Sequence, residues 1–94
     1  MRIQVEFEAQ LRTALGQGVV DLDIAEGSSI VDALRAVVAQ GPEAFAARVF
    51  SEDGTIRPSL LIFVGESAVS SLDAGAYSLS VDDRVVVMPP IAGG

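Results

Sequence analysis

The chain closes on Arg84-Val85-Val86-Val87-Met88, followed directly by Pro89-Pro90-Ile91-Ala92-Gly93-Gly94. The first segment is mostly β-branched and apolar, which is typical of a strand that pairs with neighbours on both sides. We therefore expect it to lie at the centre of a sheet, beside the first strand and parallel to it. Because the tail follows this strand directly, a central position would also hold the base of the tail rigidly.

The six residues after this strand have the composition of a protruding tail. Pro89-Pro90 fixes φ and favours an extended path away from the body. Gly93 and Gly94 lack a Cβ, so they can enter a channel that is too narrow for any side chain. A frayed strand end would explain the prolines but not the two glycines. The sequence thus predicts a folded domain over residues 1–88 and a flexible tail over 89–94 that presents the Gly94 carboxylate.

Two alternating segments near the start predict a pair of half-buried strands. Ile3, Val5 and Phe7 alternate with polar residues, and residues 20–24 repeat the pattern. The link over residues 9–18 contains two glycines, so we expect an antiparallel hairpin with a roomy loop.

One segment carries clear signals of a helix. Ser29 and Asp32 approximate a capping box at its start, and Gly41 followed by Pro42 ends it. The apolar stripe between these signals has helical spacing and consists of Ile30, Ala33, Leu34, Val37 and Val38. After it, Phe45 and Val49 lie four residues apart and predict a short helical turn.

The unbroken apolar run over residues 60–64 predicts a third strand, buried on both faces or lying beside a partner surface. Ala68-Val69 is consistent with a short return strand. One helix with an apolar stripe and one sheet with an apolar face make a two-layer α+β domain. We expect a mixed sheet of four to five strands packed on one main helix, with Phe45, Phe50 and Phe63 in the core.

Composition excludes several classes of function. The 94 residues have a net charge of −7, and the six basic residues are all arginine, which disfavours nucleic acid as a partner. The chain has no Cys and no His, so it lacks the commonest nucleophile, general base and metal ligands. Without these groups or a phosphate-binding loop it is a poor enzyme on its own. No signal peptide or membrane span is visible, so we expect a cytoplasmic protein.

Two acidic pairs invite a metal-site interpretation, which we do not favour. Asp82 and Asp83 are adjacent carboxylates without the further ligands that Ca²⁺ or Mg²⁺ requires, so a solvated turn is expected. Glu52-Asp53-Gly54 is likewise interpreted as a turn. We therefore expect no metal site and no bound cofactor.

The whole chain resembles the ubiquitin-like β-grasp sulfur carriers of the MoaD/ThiS type, and most of all the small subunit of molybdopterin synthase. The resemblance depends mainly on the Pro-Pro-Ile-Ala-Gly-Gly tail over residues 89–94. Weaker support comes from Leu11-Arg12 before Gly16, Val64-Gly65-Glu66 and Asp83-Arg84-Val85. The segment over residues 48–54 is also similar to archaeal small modifier proteins of the same fold.

The resemblance implies a mechanism that depends on other proteins. An adenylating enzyme of the ubiquitin-activating type would use ATP to activate the Gly94 carboxylate, and a sulfur donor would convert it to a thiocarboxylate. The large synthase subunit, or another acceptor enzyme, would then take the sulfur. The pathway could also be that of thiamin, cysteine or thiolated tRNA.

The same resemblance implies roles for the residues at the end of the chain. Gly94 would carry the reactive group with Gly93 beside it, and Pro89, Pro90, Ile91 and Ala92 would support them in the partner's channel. Alternation on the last strand places Val86 and Met88 on the face opposite Val85 and Val87. If the face with Val85 and Val87 meets the helix, the face with Val86 and Met88 is a candidate partner surface. For this surface, the alternatives are a second buried layer or a crystal-type dimer. For the function of the chain, they are a ubiquitin-like modifier joined through Gly94 to target lysines, and an interaction module in which the glycines are incidental.

Overall fold

The structure, a computed structural model, describes residues 1–90. The tail residues Ile91, Ala92, Gly93 and Gly94 lie outside the described residues, and so do the predictions that concern their conformation. Along the chain the elements are β1 Arg2–Phe7, α1 Ala9–Leu15, β2 Val19–Asp23, α2 Ile30–Gln40, α3 Glu43–Val49, β3 Leu61–Val64, β4 Ser67–Val69 and β5 Arg84–Met88.

The strands form one mixed sheet in the order β2-β1-β5-β3-β4. β5 is central, as its composition predicts: it pairs in parallel with β1 and antiparallel with β3. The short return strand is also present as β4, which pairs antiparallel with β3. This arrangement is the ubiquitin-like β-grasp fold expected for the chain.

The main helix, α2, begins and ends where its signals predict. Ser29 Oγ accepts a hydrogen bond from Asp32 N at 3.1 Å, and an Asp32 carboxylate oxygen accepts one from Ser29 N at 2.9 Å. These two bonds lower the pKa of Asp32, the backbone bond more than the side-chain bond. The helix buries Ile30, Ala33, Leu34 and Val37 against the sheet.

The link between β1 and β2 is not the loop that its glycines suggested, because α1 occupies seven of its residues. Leu11 is buried, and Gly16 ends the helix with a left-handed φ of 90°, its N–H donating to the Arg12 carbonyl. The prediction of a loop was wrong because a helix this short shows only one apolar repeat, Leu11 to Leu15, and has no side-chain N-cap. The antiparallel pairing of β1 with β2 is confirmed.

The core lies between the inner face of the sheet and the helices. The predicted helical turn after α2 is α3, which buries Phe45 and Val49, and the Phe45 ring meets Phe7 edge-to-face with 5.0 Å between centroids. Phe50 and Phe63 are only half-buried, so of the three phenylalanines assigned to the core only Phe45 is fully enclosed. Within residues 1–90, none of the helices has the length and apolarity needed to cross a bilayer.

Candidate functional site

The base of the tail is held by the central strand. Met88 pairs with Leu61 of β3, and the Val87 carbonyl accepts a hydrogen bond from Glu8 N at 3.1 Å. Pro89 is half-buried and Pro90 is exposed. The last strand residues are therefore fixed on both sides by backbone pairing, and the chain leaves the sheet at Pro89.

The outer face of the sheet beside this exit is apolar. On β5, Val85 and Val87 are fully buried under the helices, whereas Val86 and Met88 are half-buried on the other face, as alternation predicts. On β3, Phe63 lies opposite Val86 and Leu61 lies opposite Met88. We call these four residues, Leu61, Phe63, Val86 and Met88, the outer patch.

The outer patch changes the interpretation of β3. The run over residues 60–64 is not buried on both faces, because Leu61 is 41% exposed and Phe63 is half-buried. The first alternative, burial on both faces, is therefore wrong, and the second, a strand beside a partner surface, stays a prediction. Exposed apolar side chains that are contiguous on one face of a small domain commonly mark a contact surface.

Polar side chains border the outer patch on β1 and at the start of β5. Arg84 Nη2 donates to both carboxylate oxygens of Glu6, at 2.7 and 2.8 Å, and Glu6 pairs in register with Val86. In the next row, Gln4 Nε2 donates to Asp21 Oδ1 at 3.1 Å. The border therefore separates the outer patch from the acidic edge formed by β2.

A cleft lies on the other side of the tail's base. It has a volume of about 270 Å³, and Arg48 of α3 and Arg57 line it together with Pro89 and Pro90. Arg57 Nε donates to the Ala47 carbonyl at 2.6 Å, which fixes the orientation of its guanidinium. We call this feature the arginine cleft.

The acidic pairs considered for metal binding form turns, as predicted. Asp82 has a left-handed φ of 66°, and Asp83 accepts a hydrogen bond from Ser80 N at 2.8 Å. Asp53 accepts from the Thr55 hydroxyl and backbone N–H, and these bonds, the hydroxyl first, lower its pKa. The carboxylates of Asp83 and Asp53 thus stabilise these turns as hydrogen-bond acceptors.

Sequence reasoning identified half of the outer patch and missed the arginine cleft. Leu61 and Phe63 were assigned to a strand, and only the register with β5 shows that they adjoin Val86 and Met88. Arg48 and Arg57 are nine residues apart, and they line one cleft because the chain turns back after α3 through the Phe50–Ile56 bridge. A local pattern in the sequence does not contain that long-range pairing.

Comparison with known proteins agrees with the fold. Residues 5–94 match the model of the ThiS family, and the chain belongs to that family. Over 94 residues it is 31% identical to small archaeal modifier protein 3 of Haloferax volcanii, with all of both chains covered. The family comprises ubiquitin-fold sulfur carriers and modifiers.

Two solved structures show the same fold. SAMP1 from Haloferax volcanii superposes with a TM-score of 0.88 at 24% identity, covering all of both chains. A putative molybdopterin converting factor, subunit 1, from Pyrococcus furiosus superposes with a TM-score of 0.74 at 24% identity, covering 97% of this chain and 99% of that chain. At these identities the likeness concerns the fold alone.

Proposed function

We propose that this chain is a sulfur carrier whose Gly94 carboxylate is adenylated by a partner enzyme and converted to a thiocarboxylate. One observation carries the proposal most: the family match extends through the Gly-Gly pair. In addition, β5, the strand that leads to this pair, lies at the centre of the sheet. A tail that starts from a fixed point can be positioned in a partner's active site at a small entropic cost.

The proposed chemistry divides the work between the chain and its partners. A carboxylate is a poor electrophile, so one Gly94 oxygen attacks the α-phosphorus of ATP and pyrophosphate leaves. Hydrogen sulfide released by the sulfur donor then attacks the acyl carbon as HS⁻, AMP leaves, and loss of the thiol proton gives the thiocarboxylate. The chain contributes the carboxylate and a slender approach to it, while the adenylating enzyme contributes ATP and the catalytic groups. Since this reaction consumes ATP, we place it in the cytoplasm.

The outer patch supports docking of these partners. Leu61, Phe63, Val86 and Met88 lie next to the point where the tail leaves the sheet. A partner that covered them would bury apolar surface and direct residues 91–94 into its own active site. We propose this role for Val86 and Met88, with Pro89, Pro90, Ile91 and Ala92 passing through the partner's channel and Gly93 fitting beside Gly94.

For the acceptor, we propose the large subunit of molybdopterin synthase. In that assembly this chain would act as the small subunit, which supplies the thiocarboxylate to the catalytic subunit. The support is the sequence resemblance together with the fold shared with the putative molybdopterin converting factor of Pyrococcus furiosus.

A second candidate function is attachment to other proteins through an isopeptide bond between Gly94 and a target lysine. The specific observation in its favour is the 31% identity, over the full length, to a protein named a small archaeal modifier. Adenylation comes first in this case too, and the two functions differ in whether sulfur or a lysine amine attacks the acyl carbon.

Intact mass spectrometry of the protein taken from its native cells tests the proposal. We expect a species in which one oxygen of Gly94 is replaced by one sulfur, and we expect a variant that lacks Gly94 to remain folded and show no such species. Proteins of higher mass that carry the chain through Gly94, without any sulfur-containing form, would contradict the sulfur carrier and favour the modifier. Retained activity in the variant lacking Gly94 would contradict both.

A further inference from the structure

The arginine cleft concentrates positive charge at one place on an acidic protein. The chain has a net charge of −7 and six arginines, yet Arg48 and Arg57 line the same cleft beside Pro89 and Pro90. Both side chains are exposed. Two positive charges that line one cleft attract an anionic group more strongly than either does alone.

The described part of the chain does not neutralise these arginines. Among residues 1–90 the ion pairs are those of the Met1 amino group with Asp23 and of Arg84 with Glu6. Glu52 lines a neighbouring depression with Arg57 but forms no ion pair with it. Arg57 is nevertheless held in place by its bond to the Ala47 carbonyl, so its guanidinium is oriented before any partner arrives.

The position of the cleft limits what can reach it. Four residues, 91–94, separate Pro90 from the reacting carboxylate, and four residues in extended conformation span about 13–14 Å. If the tail is extended in a channel, ATP phosphates at Gly94 are too far from the cleft to contact Arg48 or Arg57. The groups that lie next to Pro89 and Pro90 are instead those at the entrance of the channel.

We propose that the arginine cleft docks acidic side chains at the mouth of the adenylating enzyme's channel. This inference rests on the function proposed above and adds a specificity element to it. The outer patch and the arginine cleft flank the tail's base, so an apolar contact on one side and a charged contact on the other fix the direction in which the tail enters. Arginine suits this role because its planar guanidinium binds carboxylates in a bidentate manner.

Steady-state adenylation tests this proposal: pyrophosphate release by the adenylating enzyme of the same organism is measured against the concentration of the chain, with sulfide present to consume the acyl-adenylate. We expect Arg48→Glu/Arg57→Glu to raise the KM for the chain by about tenfold or more and to change kcat by less than about twofold. The KM of the wild-type chain should also rise with salt, and this dependence should be weaker in the double variant.

A matched control separates local from global charge. Arg2→Glu/Arg35→Glu changes the net charge by the same amount at sites outside the cleft, and it should leave the KM near the wild-type value. Because Arg57→Glu also removes the bond to Ala47, Arg48→Glu alone is measured too, and its KM should rise by a smaller factor.

Equal KM values for the wild-type chain and the cleft variants, or a lower KM in the variants, would overturn the docking role while leaving the proposed function standing. Equal increases in the cleft variant and the control would also overturn it, because net charge would then explain the effect. If the wild-type chain released no pyrophosphate, the proposed function would fail, and the docking role with it.

Discussion

Adjacent residues at the end of β5 have different tasks. Val87 is fully buried against the helices, and Met88 is half-buried in the outer patch. One residue therefore stabilises the fold, and the next is available to a partner. Alternation on a strand makes this division possible within two positions.

Substitutions at these two positions should separate stability from partner binding. Val87→Ala removes two buried methyl groups, so we expect the free energy of unfolding to fall by about 2 kcal/mol. Met88→Gln keeps the length of the side chain but places an amide in an apolar contact, which costs about 1–3 kcal/mol when it is unpaired. We therefore expect Met88→Gln to raise the KM for adenylation about tenfold while the chain stays stable.

Urea unfolding and adenylation kinetics, measured on both variants, provide the comparison. The folded fraction of Val87→Ala should retain the KM of the wild-type chain. If Met88→Gln instead unfolded readily and kept a wild-type KM, the outer patch would be part of the core and not a docking surface.

At the scale of elements, α1 ends at a glycine in the left-handed conformation. Gly16 has a φ of 90°, and a side chain there would be strained even though a Cβ would meet nothing within 4 Å. We expect Gly16→Ala to lower the free energy of unfolding by about 1–2 kcal/mol. Gly75 is the control, because its φ is outside the left-handed region and a Cβ would lie 3.8 Å from Val31 Cγ2.

Urea denaturation of the two glycine variants checks this prediction. Gly75→Ala should unfold at nearly the same urea concentration as the wild-type chain. If Gly75→Ala lost as much stability as Gly16→Ala, backbone strain at Gly16 would not be the cause of the lower free energy of unfolding.

The elements differ in how far they could be predicted from the sequence. α2 was predictable because its capping box and its apolar stripe agree, and β5 because its β-branched run has few alternative structures. α1 was not predictable, because Leu11 is buried by packing against distant residues and not by a periodic pattern of its own. The arginine cleft was not predictable either, because a turn between α3 and β3 brings its two arginines together and no local pattern indicates this.

For the molecule as a whole, charge and composition limit what the activated tail can join. The sequence contains no lysine, so one copy offers no side-chain amine to the Gly94 of another. The amino group of Met1 donates to the Ile24 carbonyl at 2.6 Å, and it must give up that bond before it can react. Under the modifier alternative, the chain should therefore add to its targets singly and not as a polymer.

Reconstituted conjugation to a target protein with one lysine tests this expectation. We expect a single product, one copy of the chain heavier than the target, and no ladder of further additions. Arg2→Lys provides the matched variant, since it introduces an amine on an exposed position of β1 without changing the charge. A second addition that appears only with Arg2→Lys would confirm that the missing amine sets the limit. A ladder formed by the wild-type chain would show that Met1 reacts despite its hydrogen bond, and the prediction would be wrong.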